Sequence, residues 1–227
     1  GYTYAMQNIG KVRNSGWEFS FESTNIKTPV FAWKSGFNIS FNRNKVLKLN
    51  NDQNNRLDFA RFQTTYNNTP MYITEVGKPM GLFYGFIFDG IYQTSDFRNL
   101  TEGIYVLNPG VADNGSSDVS PGVIKYKDIN GDGTINDYDR VILGSPHPKH
   151  TGGFTNDFSY STRRIGTFTL NVLLQWSYGN KVFNANRLIF EGNGTAQVGI
   201  NQYKSYEERW TPDHPSNTLF KTKGAGP

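Results

Sequence analysis

The chain is 227 residues long and sets 23 Lys and Arg against 19 Asp and Glu, a formal charge of +4 spread without a dense basic run, which speaks against a nucleic-acid surface. Aromatic residues make up 15% and glycine occupies 24 positions, a mixture suited to turn-rich β structure, while length alone leaves one large or two small domains open. Cysteine is absent, which excludes disulfide frameworks and thiolate metal sites, and no apolar run approaches the roughly 18 residues of a membrane-spanning helix. The opening GYTYAMQNIGKVRN does not read as a secretory leader.

The first element is GWEFSFES, where Trp17, Phe19 and Phe21 alternate with Glu18, Ser20 and Glu22, the period of a strand with one apolar face. TNIKTP reads as the reversal. FAWKSGFNISFNR then sets Phe31, Trp33, Phe37, Ile39 and Phe41 against Lys34, Asn38, Ser40 and Asn42, with Ser35 as a small break on the apolar side. A long excursion follows, from residue 44 to about 151, with β structure of its own such as GLFYGFIFDGIYQT; an extra hairpin turning near Gly77 to Gly81 is the alternative reading. Its aromatics, including Tyr72, Phe83, Tyr84, Phe86, Phe88 and Tyr92, are read as packing a small core of the excursion more readily than as ligand contacts.

Within the excursion, DINGDGTINDYD fits the spacing of a calcium loop. Asp128, Asn130, Asp132 and Asp139 would supply side-chain oxygens, Thr134 a backbone carbonyl and Asn136 a direct or water-mediated ligand, with Gly133 at the sharp turn and Ile135 as anchor. Aspartate in place of glutamate at the last position shortens the reach. The flanking GVIKYK and RVILG look like strands, so an ion here would staple a loop in place, and an ion-free turn rich in Asn, Gly and Asp is the other reading. His147 and His150 in SPHPKH are read as surface-loop histidines, since the two prolines make a helical metal site untenable.

The second alternating pair repeats the first. FTNDFSY sets Phe154, Phe158 and Tyr160 against Thr155, Asp157 and Ser159; TRRIG turns; TFTLNVLLQWSY sets Phe168, Leu170, Val172, Leu174, Trp176 and Tyr178 against Thr167, Thr169, Asn171, Gln175 and Ser177, with Leu173 the one apolar residue on the polar side. From residue 181 onward, KVFNANRLIFEGNG through SYEERWTPDHPSNTLF loses the alternation and reads as loop with some helix.

Such alternation arises in a soluble sandwich, whose apolar face is buried, and in an outer-membrane barrel, whose apolar face meets lipid. The longer runs exceed a common strand of about 5 to 6 residues and cover the roughly 9 to 11 tilted residues that a bilayer needs. The order aromatic, aliphatic, aromatic from Phe168 to Tyr178 matches two girdles around a hydrocarbon band, and short reversals facing long connections match periplasmic turns and outer loops. The barrel is therefore the expectation. It places Trp17, Phe19, Phe21, Phe37, Phe41, Phe158, Leu170, Val172, Leu174 and Trp176 against lipid, and Glu18, Glu22, Lys34, Asn38, Asn42, Asp157, Asn171 and Gln175 in the lumen as candidate cargo contacts. Glu18 and Glu22 stand about 13 Å apart on an extended strand, too far for a glycosidase pair, and no nucleophile with a placed base is present, so no enzyme is expected.

NIGKVRNSGWEFSF, VGKPMGLFYGFIFDGIYQ, PGVIKYKDINGDGTINDYDRVILGSPHPKHTGGF, LLQWSYGNKVFNANR and RWTPDHPSNT, in that order, resemble the SusC/RagA family of TonB-dependent outer-membrane transporters over nearly the whole chain. The resemblance implies an all-β fold, part of a 22-stranded barrel, in the bacterial outer membrane, importing oligosaccharides or peptides with a SusD-like lipoprotein and the TonB complex. It also implies that residues 1–180 are wall strands with the excursion, that 181–227 are outer loop, and that the plug, the TonB-contacting N-terminal region and the other strands lie outside this chain. The competing expectation is a secreted, calcium-stabilised β-sandwich for carbohydrate binding or adhesion. In that fold Trp17, Phe37, Leu170 and Trp176 would form a dry core.

Overall fold

The computed structural model describes residues 10–50, 53–59, 69–101, 104–115, 119–191 and 201–221. Among them the strands are β1 Gly10–Lys27, β2 Phe31–Leu49, β3 Asn55–Phe59, β4 Pro70–Glu75, β5 Leu82–Gly85, β6 Phe88–Ile91, β7 Phe97–Thr101, β8 Ile104–Leu107, β9 Ile124–Tyr126, β10 Val141–Gly144, β11 His150–Thr162 and β12 Gly166–Tyr178, with one short helix, α1 Ala185–Phe190. The chain divides into two compact units: Gly1–Asp58, Tyr72–Phe83 and Gly144–Lys181 make the first, and Phe59–Met71, Tyr84–Leu143 and Val182–Pro227 the second.

The first unit is organised around an antiparallel sheet in the order β1, β2, β11, β12. Directly opposed residues share a face, so the register stacks the alternating side chains into rows. On one face lie Phe31, Tyr160 and Phe168; then Trp33, Phe158 and Leu170; then Ser35, Asn156 and Val172; then Phe21, Phe37, Phe154 and Leu174; then Phe19, Ile39, Gly152 and Trp176; and last Trp17 with Phe41, and His150 with Tyr178. Rings link the strands sideways, Trp33 stacking on Phe158 at 5.7 Å and Phe37 meeting Trp176 at 5.9 Å. Nothing seals this face: Trp17 is 73% exposed, Leu170 60% and Phe37 38%, while Trp176 is half-buried. The dry core that a sandwich needs is absent among these residues.

Both reversals are tighter than the sequence suggests. TNIKTP is mostly strand, because Thr24 and Lys27 still pair with Lys34 and Ala32, and only Thr28, Pro29 and Val30 turn the chain. Thr28 closes that turn, donating its backbone N–H to the Phe31 carbonyl at 2.8 Å and accepting the Phe31 N–H on its hydroxyl at 2.8 Å. At the other hairpin Arg163, Arg164 and Ile165 suffice. β1 and β2 also run further at their opposite ends, where Gly10 pairs with Leu49 and charged residues occupy both faces. Here β2 is covered: Val46 is fully buried and exchanges backbone bonds with Lys78 and Gly77.

β2 pairs directly with β11, so among the described residues the excursion adds no strand to this sheet. The hairpin near Gly77 to Gly81 exists, with Tyr72 opposite Phe83 and Ile73 opposite Leu82, but it belongs to a second sheet ordered β10, β5, β4, β3. The two remaining sheets pair β6 with β9 and β7 with β8.

The second unit has its own core of Ile91, Tyr92, Phe97, Ile135, Trp210 and Leu219. Most of the excursion's aromatics are at least half-buried and Phe88 alone of the six named above is 49% exposed. Tyr92 is fully buried, its hydroxyl donating to the Ala112 carbonyl, and burial, with the Asp113 carboxylate next, pushes its pKa up to about 12. The RWTPDHPSNT stretch packs this core: the Trp210 indole N–H donates to Gln93 Oε1 at 3.1 Å, and Asn217 Oδ1 accepts the Ile91 N–H at 2.9 Å. No helix among the described residues is long and apolar enough to cross a membrane, which says nothing of a β-barrel.

Candidate functional site: the polar face and the acidic loop

Residues of even number on β1 and β2 and of odd number on β11 and β12 make the opposite face of the first sheet, and every candidate cargo contact lies there. The rows run Glu18, Ser40, Thr151, Ser177; then Ser20, Asn38, Gly153, Gln175; then Glu22, Gly36, Thr155, Leu173; then Thr24, Lys34, Asp157, Asn171, with Asn42 opposite Gly16 beyond the first row. Glu18, Glu22, Lys34, Asn38, Asn42, Asp157, Asn171 and Gln175 are all exposed. Some are tied laterally: Ser40 Oγ donates to Glu18 Oε1 at 3.4 Å and Asn171 Nδ2 donates to Asp157 Oδ1. Lys34 sits opposite Asp157, so both signs of charge meet in one row. A row separates Glu18 from Glu22, and no pair of carboxylates is brought together.

In the second row the Asn38 side chain lies over a glycine. Gly153 is buried between Asn38 and Gln175, and an added Cβ there would meet Asn38 Nδ2 at 3.1 Å. Asn38, Thr151, Gly152, Gln175, Trp176 and Ser177 line a shallow open depression of about 500 Å³. On the other face Trp176 lies over Gly152, where a Cβ would stand 2.2 Å from the ring.

His150 is not the loop histidine that the sequence suggests. It opens β11 and is half-buried on the aromatic face, where its Nδ1 accepts the Trp176 indole N–H at 3.1 Å and its ring stacks on Tyr178 at 5.0 Å. His147 does lie in the preceding loop, its Nε2 2.7 Å from the Met80 carbonyl oxygen.

The acidic loop runs between β9 and β10. Gly131 and Gly133 take φ of 75° and 81°, a conformation that side chains resist, and so bring the loop amides inward. Those amides find the acidic side chains. Asp128 accepts from the N–H of Gly131 at 2.7 Å and of Gly133 at 2.8 Å, and Asp132 from the Thr134 N–H at 2.8 Å and from Asn130 Nδ2 at 2.9 Å. Asp139, fully buried, takes Ile129 N–H at 2.9 Å on one oxygen and Asn136 N–H at 2.8 Å on the other. Asn136 caps the following turn through Tyr138 N–H at 2.9 Å, and its amide donates to the Thr134 carbonyl at 3.2 Å. Ile135 is buried, and its N–H bonds the Asp113 carbonyl at 2.6 Å.

The loop thus has an ion-free account of its acidic residues, and no group of three or more His, Asp or Glu is gathered as a metal site among the described residues. Asp139 Oδ1 also takes the Asn130 N–H at 3.4 Å, whereas each oxygen of Asp128 and Asp132 takes one of the bonds above.

The amides of Asn136 and Ile129 hold the Asp139 carboxyl below the usual range, against burial, which pushes it up. A depressed native pKa stabilises above the unfolded value and fails beneath it. Protection of the Ile129 and Asn136 amides, corrected for intrinsic exchange, is therefore expected to hold above about pH 5 and to fall as the pH drops below the ordinary aspartate value of about 3.9. Asp139→Asn, which leaves one acceptor oxygen, is expected to speed exchange at these amides about tenfold at neutral pH. Unchanged protection in that variant would show that the carboxylate does not close the loop.

No family model matches the chain. It is 34% identical over 219 residues to TonB-dependent receptor P3 of Formosa agariphila, covering 96% of this chain and 20% of that protein, and 30% identical over 231 residues to TonB-dependent receptor P26 of the same organism, covering 99% and 20%. TonB-dependent receptor SusC of Bacteroides thetaiotaomicron is 29% identical over 166 residues, 69% of this chain and 14% of that protein. The structure of the RagAB peptide transporter matches with a TM-score of 0.61 at 20% identity, covering 96% of this chain and 20% of that one. This likeness shows the fold: the four-stranded sheet is part of an antiparallel transmembrane barrel. The relatives are receptors, not enzymes, and the chain spans about a fifth of the length of the first two. Open aromatic face, polar reverse and sequence likeness agree, and the chain belongs to the SusC/RagA family of TonB-dependent receptors.

Proposed function

We propose that this chain supplies wall and outer-loop structure to a TonB-dependent importer in the bacterial outer membrane, working with a SusD-like lipoprotein and carrying oligosaccharide or peptide. The observation that carries this reading is the sheet with two unlike open faces. One carries aromatic or aliphatic side chains in every row and runs aromatic, aliphatic, aromatic along β12, as a surface that meets lipid does. The other is hydroxyl, amide and charge, as a water-filled lumen must be. Residues 44–151 then begin and end at the outer rim, because the tight hairpins mark the periplasmic side.

The chain has no cysteine, so a single introduced one is unique within it. In the intact outer-membrane protein, Asp157→Cys is expected to react with a charged, water-soluble maleimide, whereas Phe158→Cys reacts only after detergent strips the lipid. Equal labelling of these two neighbours in the membrane would remove the assignment of faces. Uptake that persists without TonB would remove active import and leave the faces standing.

Calcium is part of the same proposal, as a staple on a loop that already closes itself. Bound there, the ion would supply charge neutralisation for Asp128, Asp132 and Asp139, with Asn130, Asn136 and the Thr134 carbonyl completing the oxygen set. Because those oxygens already serve amides, affinity is expected on the order of 10⁻⁴ to 10⁻³ M, the range of extracellular modules. Calcium should therefore slow exchange of the same loop amides over that range.

A further inference from the structure

We infer that the outer end of the β1 and β2 ladder holds the phosphate of an outer-leaflet lipid on Arg13, Arg43 and Lys45; the inference rests on the aromatic face being the one that meets lipid. Trp17 and Phe41 form the outermost aromatic pair of these strands, and the same face continues with Ser15 opposite Arg43 and then Arg13 opposite Lys45. All three basic side chains are exposed. From Gly10 to Trp17 and from Phe41 to Leu49 the sequence has no Asp or Glu, and none of the ion pairs among the described residues involves Arg13, Arg43 or Lys45. Like charges directly opposed across a ladder repel, so Arg13 and Lys45 are held side by side against their own charge, and an anion is what the pair lacks.

The ladder keeps this place because its other face is engaged. Val46 exchanges backbone bonds with Gly77 and Lys78, while Asn44 Oδ1 accepts the Met80 N–H at 2.8 Å and its amide donates to Asn14 Oδ1 at 2.7 Å. With that side occupied, the three cations are left on the side that lipid meets.

Depth selects a headgroup over hydrocarbon. Rows along a strand lie about 6.7 Å apart, and a strand tilt of about 40° leaves about 5 Å of height per row. A headgroup layer is roughly 5 to 7.5 Å thick on each side of the hydrocarbon. With Trp17 and Phe41 at the boundary, where girdle aromatics sit, Arg43 falls within that layer and Arg13 and Lys45 stand at its outer edge, from which long side chains reach back. An arginine fork takes two oxygens of one phosphate and a lysine adds a point charge. A zwitterionic headgroup already carries its own cation, so the ligand class is a lipid whose phosphate leaves it with net negative charge.

The test uses the full-length transporter in an uncharged detergent, stripped of co-purifying lipid and incubated separately with monophosphoryl lipid A and with phosphatidylcholine, the retained lipid being counted by native mass spectrometry. The parent is expected to hold the first and not the second. Arg13→Ala, Arg43→Ala and Lys45→Ala together are expected to weaken retention about tenfold or more, whereas Lys27→Ala, Arg163→Ala and Arg164→Ala together, which remove the same charge at the periplasmic hairpins, are not. Arg13→Lys combined with Arg43→Lys keeps the charge and is expected to keep the lipid. Calorimetry with inorganic phosphate is expected to show no saturable binding, because the acyl chains on the neighbouring apolar face supply the rest of the hold. Equal losses in the two alanine variants, no loss in the first, or a lysine variant as weak as the first would overturn the inference, and saturation by inorganic phosphate would make this a free-anion site instead. All of these leave the labelling contrast between Asp157→Cys and Phe158→Cys untouched, whereas equal labelling there removes the lipid face itself.

Discussion

Arginine in place of Leu174 is expected to cost about 2 to 4 kcal/mol of stability in a bilayer and to lower the yield of folded protein, while arginine in place of Leu173, its immediate neighbour, is expected to cost within about 0.5 kcal/mol. Exposure does not distinguish the two, since Leu174 is 57% exposed and Leu173 54%. What separates them is the face. Leu174 lies in the row of Phe21, Phe37 and Phe154, between the aromatic rows that end the apolar band, so its guanidinium would sit in hydrocarbon. Leu173 lies in the row of Glu22, Gly36 and Thr155, where a guanidinium remains in water. Urea titrations of each variant in liposomes measure the difference. Equal costs for the two would mean that the faces do not meet different media, and the membrane account would go with them.

Much of that wall was legible in the sequence, because a period of two is all that a half-apolar strand requires and the order of residue types along one face reports what it touches. What escaped is where neighbours override local pattern. Lys11, Arg13, Arg43, Lys45 and Lys48 give no alternation, yet β1 and β2 continue through them because the ladder begun at Trp17 and Phe41 carries on. TNIKTP has turn composition and is mostly strand for the same reason. His150 looks like loop beside two prolines, and only the pairing with Tyr178 reveals it as the start of a strand. In the acidic loop the letters were legible but ambiguous, since spacing that gathers oxygens on an ion also gathers them on glycine-bent backbone; the Asn136 and Asp139 cap could have been read from its N-x-x-D spacing. Tyr92 and Trp210 share a core across a distance that no window spans.

Ser35 was visible only as a small break in an apolar run, and the structure gives it a partner with the second large expected effect. Asn156 sits opposite it on β11, in the midst of the apolar face, and its Oδ1 accepts from both Trp33 Nε1 and Ser35 Oγ at 2.9 Å, while Asn25 donates to Ser35 Oγ from the bulge in β1. The strands so joined are far apart in the chain, the bonded residues being separated by 121 and 123 positions, and the rows around them pair one aromatic with another. A slip of two residues would preserve the faces and nearly preserve the packing. It would also leave Asn156 opposite Trp33 or Phe37 with its acceptor unmatched in a medium that supplies no hydrogen bonds. The polar node therefore fixes register where aromatic packing cannot. Asn156→Leu, which orphans two donors, is expected to cost about 2 to 4 kcal/mol in liposomes. Adding Ser35→Ala and Trp33→Phe removes those two donors, with only the exposed Asn25 amide losing its acceptor, and is expected to restore most of that stability while loosening register. Cysteine pairs report the loosening: one at positions 34 and 157, opposed in the native register, and one at 34 and 155, opposed only after a slip. The triple variant should form the second crosslink and the parent only the first; a triple variant that forms the native crosslink alone would assign register to the aromatic rows instead.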